Sequence, residues 1–152
     1  NFNSDIFIFA KNKNLNRNIK SLNYIFENCN LIFLALPLTK QTHGVVSEKI
    51  FKKSKNGFYL VNISRAEVIN KSALIKALRN NTILGFATDC PYKTEKKDYY
   101  KDFLKFENVI LSPHRSSTLY NNNKILDDIF YNLNTHIKFK KYRNLINIKK
   151  GY

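Results

Sequence analysis

Five short apolar runs recur along the chain, each followed by a stretch patterned for a helix or a polar turn. They are Asp5–Ala10 (DIFIFA), Leu31–Leu36 (LIFLAL), Gly57–Ile63 (GFYLVNI), Ile83–Thr88 (ILGFAT) and Asn108–Leu111 (NVIL). None alternates apolar with polar residues as a strand wetted on one face does, so they read as strands buried on both faces. Between them, Asn18–Glu27 spaces Ile19, Leu22 and Phe26 along one helical face, with Ile25 beside them. Asn70–Arg79 sets Ala73, Leu74, Ala77 and Leu78 on one stripe behind a capping Asn70, and Ser47–Lys53 is a shorter helix. Strands alternating with such helices imply crossover connections and an α/β fold whose parallel sheet is covered on both sides. After Pro113 the pattern changes. Asn123–Ile137 aligns Ile125, Leu126, Ile129, Phe130, Leu133 and Ile137 as one long C-terminal helix, and a basic tail follows.

The 152 residues make about one domain. No apolar stretch approaches the ~18 residues of a membrane helix, and the N-terminus lacks a signal-peptide layout, so no membrane partner is expected. Cys29 and Cys90 are too few for a disulfide framework or a metal cluster, which favours a reducing, cytoplasmic setting. His43 and His136 have no metal-ligand spacing either, so no metal is expected. The formal net charge is +15, yet the cations are 21 Lys and only 5 Arg, spread from Lys11 to Lys150 beside 22 Asn. Arg forks dominate phosphate and base readout, so this distribution reads as a solvated basic surface and not as a nucleic-acid site. A phosphorylated cofactor is compatible with it. The chain starts at Asn1 and contains no Met, as expected for a portion of a longer protein.

In an open parallel sheet, ligands bind beyond the carboxyl ends of the strands. The third run ends in Asn62, Ser64 and Arg65, the fourth in Asp89, and the fifth runs into Ser112, Pro113, His114 and Arg115. An Arg, an Asp and a His at three successive strand ends would face one crevice and could hold a carboxylate, orient a polar ring and move a proton; the other reading is that they serve only as solvated turn residues.

Four segments also carry a family resemblance. LPLTKQTHGVVSEKIF (Leu36 to Phe51) resembles the L-P-L-T-x-x-T-x-x-V segment of the D-isomer-specific 2-hydroxyacid dehydrogenases. LVNISRAEVINKSALIKAL (Leu60 to Leu78) resembles their V-N-x-x-R-G-x-x-V-D-x-x-A-L signature. ILGFATD (Ile83 to Asp89) is similar to their G-A-A-x-D strand, and LSPHRSST (Leu111 to Thr118) to T-P-H-x-x-x-x-T. The four occur in the family's order and cover most of residues 31–120. The resemblance implies an α/β, Rossmann-like parallel sheet, incomplete because its first strand is missing, with a long C-terminal helix. Residues 1–119 would form a partial dinucleotide-binding domain, and residues 120–152 a helix and tail returning towards a substrate domain.

By the same resemblance, Arg65 matches the catalytic Arg that grips the substrate carboxylate, a task suited to a planar, permanent charge. His114 matches the acid/base His, whose imidazole exchanges protons near neutrality. Asp89 matches the Asp that orients the nicotinamide carboxamide. Leu36, Ile63 and Ser64 fall where the family lines the cofactor, and Ser116 and Ser117 follow the His near the same ring. The implied reaction is hydride transfer between NAD(P) and a small 2-hydroxy or 2-keto acid of the glyoxylate, hydroxypyruvate or glycerate type. The family also implies a homodimer, formed through Asn123–Ile137 or nearby helices.

Several positions depart from the pattern. The catalytic Glu that pairs with the His usually falls where Thr94 stands here; a loop one residue longer restores Glu95 to that role. Ala66 replaces the usual Gly and Asn70 the usual Asp. The family's G-x-G-x-x-G string does not occur in the 152 residues and is expected upstream of Asn1, leaving the chain alone inactive. Asp5–Ala10 resembles the strand after that glycine helix, whose end normally carries an Asp for the ribose 2′-OH. Here Ala10 is followed by Lys11 and Lys13, which favours a 2′-phosphate and so NADP over NAD. The shifted Glu95 also keeps open a dinucleotide-sensing binding protein, like the co-repressors among the family's relatives.

Overall fold

The computed structural model describes residues 4–10, 18–90, 92, 101–112, 127 and 129–135. The chain divides into two compact units, Asn1–Pro113 and His114–Tyr152. Among its described residues the first holds four strands, β1 (Leu31–Leu34), β2 (Phe58–Asn62), β3 (Ile83–Thr88) and β4 (Val109–Leu111). They form one parallel sheet in the order β1-β2-β3-β4. Helices α1 (Leu22–Asn28), α2 (Glu48–Lys53) and α3 (Lys71–Arg79) alternate with these strands.

Helices α1 and α3 begin where side chains satisfy free N–H groups. Ser21 Oγ accepts from the Tyr24 N–H at 3.1 Å, and Asn70 Oδ1 accepts from the Ala73 N–H at 3.0 Å. The α3 helix stops where Asn81 takes a left-handed φ of 56°, a conformation Asn tolerates. α1 starts later than its apolar spacing suggests. Asn18 has φ 38° and Ile19 instead forms a parallel bridge to Ile8.

Register divides the sheet into two sides. Ile32, Leu60, Phe86 and Val109 stand in one cross-strand row; Leu34, Asn62, Thr88 and Leu111 form the next row on the same side. This side packs against Phe26 of α1, Ile50 and Phe51 of α2 and Leu74 and Leu78 of α3. Phe26 meets Phe51 and Phe58 edge-to-face, at 6.1 and 5.7 Å. The opposite rows, Leu31 with Tyr59 and Phe33 with Ile110, are exposed.

Two expectations are corrected. Asp5–Ala10 is not a strand: Ile8 makes a one-residue bridge, exchanging hydrogen bonds with Asn18 and Lys20, and Ile6 is exposed. An apolar run becomes a strand only with a ladder partner, and among the described residues this one has a single point of pairing. The sheet, expected to be covered on both sides, is covered on one by the described residues. In the second unit, Asp127 and Ile129–Thr135 are helical, within the segment where a helix is expected. Ile129, Phe130 and Leu133 are exposed there. No helix among the described residues is long and apolar enough to cross a membrane.

Candidate functional site

The candidate site is built where three parallel strands run out at one level. The Ile63 N–H donates to the Leu34 carbonyl at 3.1 Å, and the Ser112 N–H to the Thr88 carbonyl at 2.9 Å. The Asp89 N–H reaches the Asn62 carbonyl at 3.4 Å. The ladder therefore continues one residue past the strands and sets Ile63, Asp89 and Ser112 side by side.

Each central strand ends in a side chain that turns the backbone. Asn62, 1% exposed, accepts at Oδ1 from the Ser64 N–H (3.0 Å) and the Ser64 hydroxyl (2.8 Å), and its Nδ2 donates to the Arg65 carbonyl (2.9 Å). An Asn side chain that imitates a backbone turn in this way fixes the next three residues. Thr88 repeats the device on β3: its hydroxyl donates to the Asn62 carbonyl (3.1 Å) and accepts from the Cys90 N–H (3.0 Å). Asn62 and Thr88 are direct cross-strand partners.

Beyond these turns the chain presents its candidate chemistry. Arg65 is exposed, with Nη1 donating to the Ser64 carbonyl at 2.7 Å. The same carbonyl accepts from the buried Cys90 thiol at 3.2 Å. Burial pushes that thiol above its ordinary pKa and the Asp89 carboxylate adds to the rise, while the Arg65 guanidinium opposes it. Cys90 is thus a neutral hydrogen-bonded spacer joining the Arg65 and Asp89 turns. Ile63 is exposed, Ser64 is buried, and Leu36 and Asp89 are half-buried.

The loop after β1 is tied to the same region. Thr39 caps a turn by accepting from the Gln41 and Thr42 N–H groups, and the Thr42 hydroxyl donates to the Pro37 carbonyl. Gly44, at φ 62°, then donates its N–H to the Glu67 carbonyl at 2.8 Å, and Val46 bridges to Ile69. The turn after β3 is held from the other side. The Tyr92 hydroxyl donates to the Ile69 carbonyl at 3.1 Å, its ring stacks on Phe103, and Lys71 pairs with Asp102 at 2.7 Å. Burial, with the Glu67 charge added, raises the Tyr92 phenol pKa, so it stays a donor.

Of the residues singled out from sequence, Leu36, Ile63, Ser64, Arg65 and Asp89 stand at this carboxyl edge. His114, Glu95, Lys11, Lys13, Ser116 and Ser117 lie outside the described residues. The coupling through Thr88 and Cys90 is not visible in the sequence; a Thr at the last inward position of a buried strand is the signal that could have found it. No group of His, Cys, Asp or Glu among the described residues could hold a metal. The ladder sets Ile63, exposed and apolar, next to Asp89, an acceptor, a pairing of residue types that would suit a flat ring carrying an amide.

A model of the NAD binding domain of D-isomer specific 2-hydroxyacid dehydrogenases matches residues 3–116. The chain belongs to that family. The glyoxylate reductase of Pyrococcus horikoshii is 34% identical over 109 residues, which are 71% of this chain and 32% of that protein. The glyoxylate reductase of Pyrococcus furiosus is 31% identical over 140 residues, 91% of this chain and 38% of that one. A D-isomer specific 2-hydroxyacid dehydrogenase from Xanthobacter autotrophicus Py2, solved in complex with NADPH and MES, shares the fold. Its TM-score is 0.71 at 22% identity, over 86% of this chain and 53% of that one. The chain spans about a third of the length of the curated relatives it matches.

Proposed function

We propose that the protein is an NAD(P)-dependent 2-hydroxyacid dehydrogenase acting on a small acid of the glyoxylate, hydroxypyruvate or glycerate type. The observation that carries this reading is the shared level of the β2 and β3 ends, which brings the Arg65 and Asp89 turns together in a chain of this family. The nicotinamide, when bound, supplies the hydride. Arg65 holds the acid's carboxylate through its guanidinium fork and draws electron density from the neighbouring carbonyl. His114 gives a proton to the keto oxygen in the reductive direction and takes it from the hydroxyl in reverse. Glu95 is its carboxylate partner. Asp89 accepts from the carboxamide, while Leu36, Ile63, Ser64, Ser116 and Ser117 line the ring. Lys11 and Lys13 meet a 2′-phosphate, which favours NADP over NAD. A cytoplasmic homodimer belongs to the same reading.

Turnover tests it directly. The full-length protein is expected to oxidise NADPH with glyoxylate or hydroxypyruvate, faster than it oxidises NADH. His114→Ala is expected to lower kcat about 100-fold or more, the usual contribution of a positioned acid/base. Tight NADPH binding with no turnover of either acid would overturn the enzyme reading and favour a dinucleotide sensor.

A further inference from the structure

The polar pair beneath the candidate site has no chemical role of its own, yet it touches both turns that do. We propose that Asn62, backed by Thr88, is the positioning residue that sets Arg65 for the acid's carboxylate; this rests on the reading of Arg65 as the carboxylate grip.

The argument starts from burial. A carboxamide 1% exposed on the packed side of a sheet is costly unless its polar atoms are bonded. Asn62 meets that requirement entirely within the turn ahead of it, with two bonds to Ser64 and one to the Arg65 carbonyl. These bonds fix the backbone on both sides of the Arg65 Cα, where φ is −143° and ψ is 142°. The side chain is then drawn back by its own bond to the Ser64 carbonyl. Only an amide serves here. The Ser64 N–H and hydroxyl need an acceptor while the Arg65 carbonyl needs a donor, and Asn offers both within one short side chain.

Thr88 extends the device to the neighbouring strand. Its hydroxyl donates to the Asn62 carbonyl and accepts from the Cys90 N–H, and the Cys90 thiol closes the loop on the Ser64 carbonyl. The Arg65 and Asp89 turns therefore share one buried network. The group that would hold the acid and the group that would hold the nicotinamide amide keep a fixed spacing, as hydride transfer over a short distance demands.

The test uses the full-length protein and a double-mutant cycle. Asn62→Asp keeps the size and the acceptor to Ser64 but sets a carboxylate oxygen against the Arg65 carbonyl. It is expected to raise KM for glyoxylate about tenfold or more, while the NADPH Kd stays within about twofold. In an Arg65→Ala background the same change is expected to add less than about twofold, because both act through one group. Thr88→Val is expected to share the defect in milder form, and Thr88→Ser, which retains the hydroxyl, to restore it. Additive effects of Asn62→Asp and Arg65→Ala would overturn the proposal, as would a parallel loss of NADPH binding, melting temperature and KM.

If the unmodified protein reduces no 2-keto acid, the proposed function fails separately. The positioning claim is then judged by amide hydrogen exchange across residues 63–66. Exchange there is expected to accelerate in both Asn62→Ala and Thr88→Val, and unchanged protection in both would overturn it.

Discussion

The two sides of the sheet carry similar residues and meet different fates. On one side Phe58, Leu60, Ile83 and Phe86 are sealed under α1, α2 and α3. On the other, Phe33 is 62% and Ile110 72% exposed, with Leu31, Tyr59 and Leu84 beside them. Sequence composition does not distinguish the sides, since both are written in Leu, Ile, Phe and Val. What distinguishes them is which side the connections cross. Among the described residues, each helix between consecutive strands packs on the same side, so that side gains the core, and the other displays an apolar surface.

The largest expected difference is in the cost of truncation. Leu60→Ala, at a fully buried position, should destabilise the protein by about 3 kcal/mol, as cavity-forming substitutions do. Phe33→Ala should cost less than about 1 kcal/mol. Urea unfolding of the two variants checks the contrast, and equal losses would mean that the outer side is buried in solution.

A smaller effect sharpens the outer side itself. A Cβ on Gly85 would lie 2.9 Å from Tyr59 Cδ1, because the half-exposed ring rests across the glycine. Gly85→Ala should cost about 1–2 kcal/mol by overpacking, and Tyr59→Ala in the same chain should remove most of that penalty.

Smaller still, Phe33→Thr with Ile110→Thr should leave stability within about 0.5 kcal/mol per site while lowering the fluorescence of an apolar-surface dye. Unaltered dye binding would place the accessible apolar surface elsewhere.

The least effect belongs to the rim of the covered side. The Lys71 ammonium holds the Asp102 carboxyl below its ordinary range, through a 2.7 Å bond. A depressed carboxylate stabilises the fold above its unfolded pKa and loses that contribution as pH falls through the folded value. Asp102→Asn should therefore lower the urea midpoint slightly at neutral pH and match the parent in acid. The pair is solvent-exposed, so the gap is small.

Sequence patterning placed the elements well where one local force decides and poorly where pairing decides. β3 spans the Ile83–Thr88 run, and α3 follows its Asn70 cap, because the apolar run and the cap are each self-sufficient. β1 stops at Leu34 and β2 at Asn62, short of their apolar runs, since the two end together in register and Asn62 bends the chain. Asp5–Ala10 has a strand's composition without a ladder. The strand-end residues Arg65 and Asp89 were legible from motif and topology together. The buried bonds beneath them were not, because a hydrogen bond between residues 26 positions apart, such as Cys90 to Ser64, leaves no local pattern.

The strap after β3 carries a consequence for how this segment can change over evolutionary time. Tyr92 is moored to the Ile69 carbonyl and Asp102 to Lys71, with Phe103 wedged against the Tyr92 and Phe86 rings. Both ends of the intervening stretch are thus fastened to the body of the domain. Lengthening a loop by one residue costs little entropy. An insertion between the two moorings can therefore leave β3 and β4 undisturbed. A change in the number of residues between the moorings is then the sort of edit this scaffold absorbs most easily.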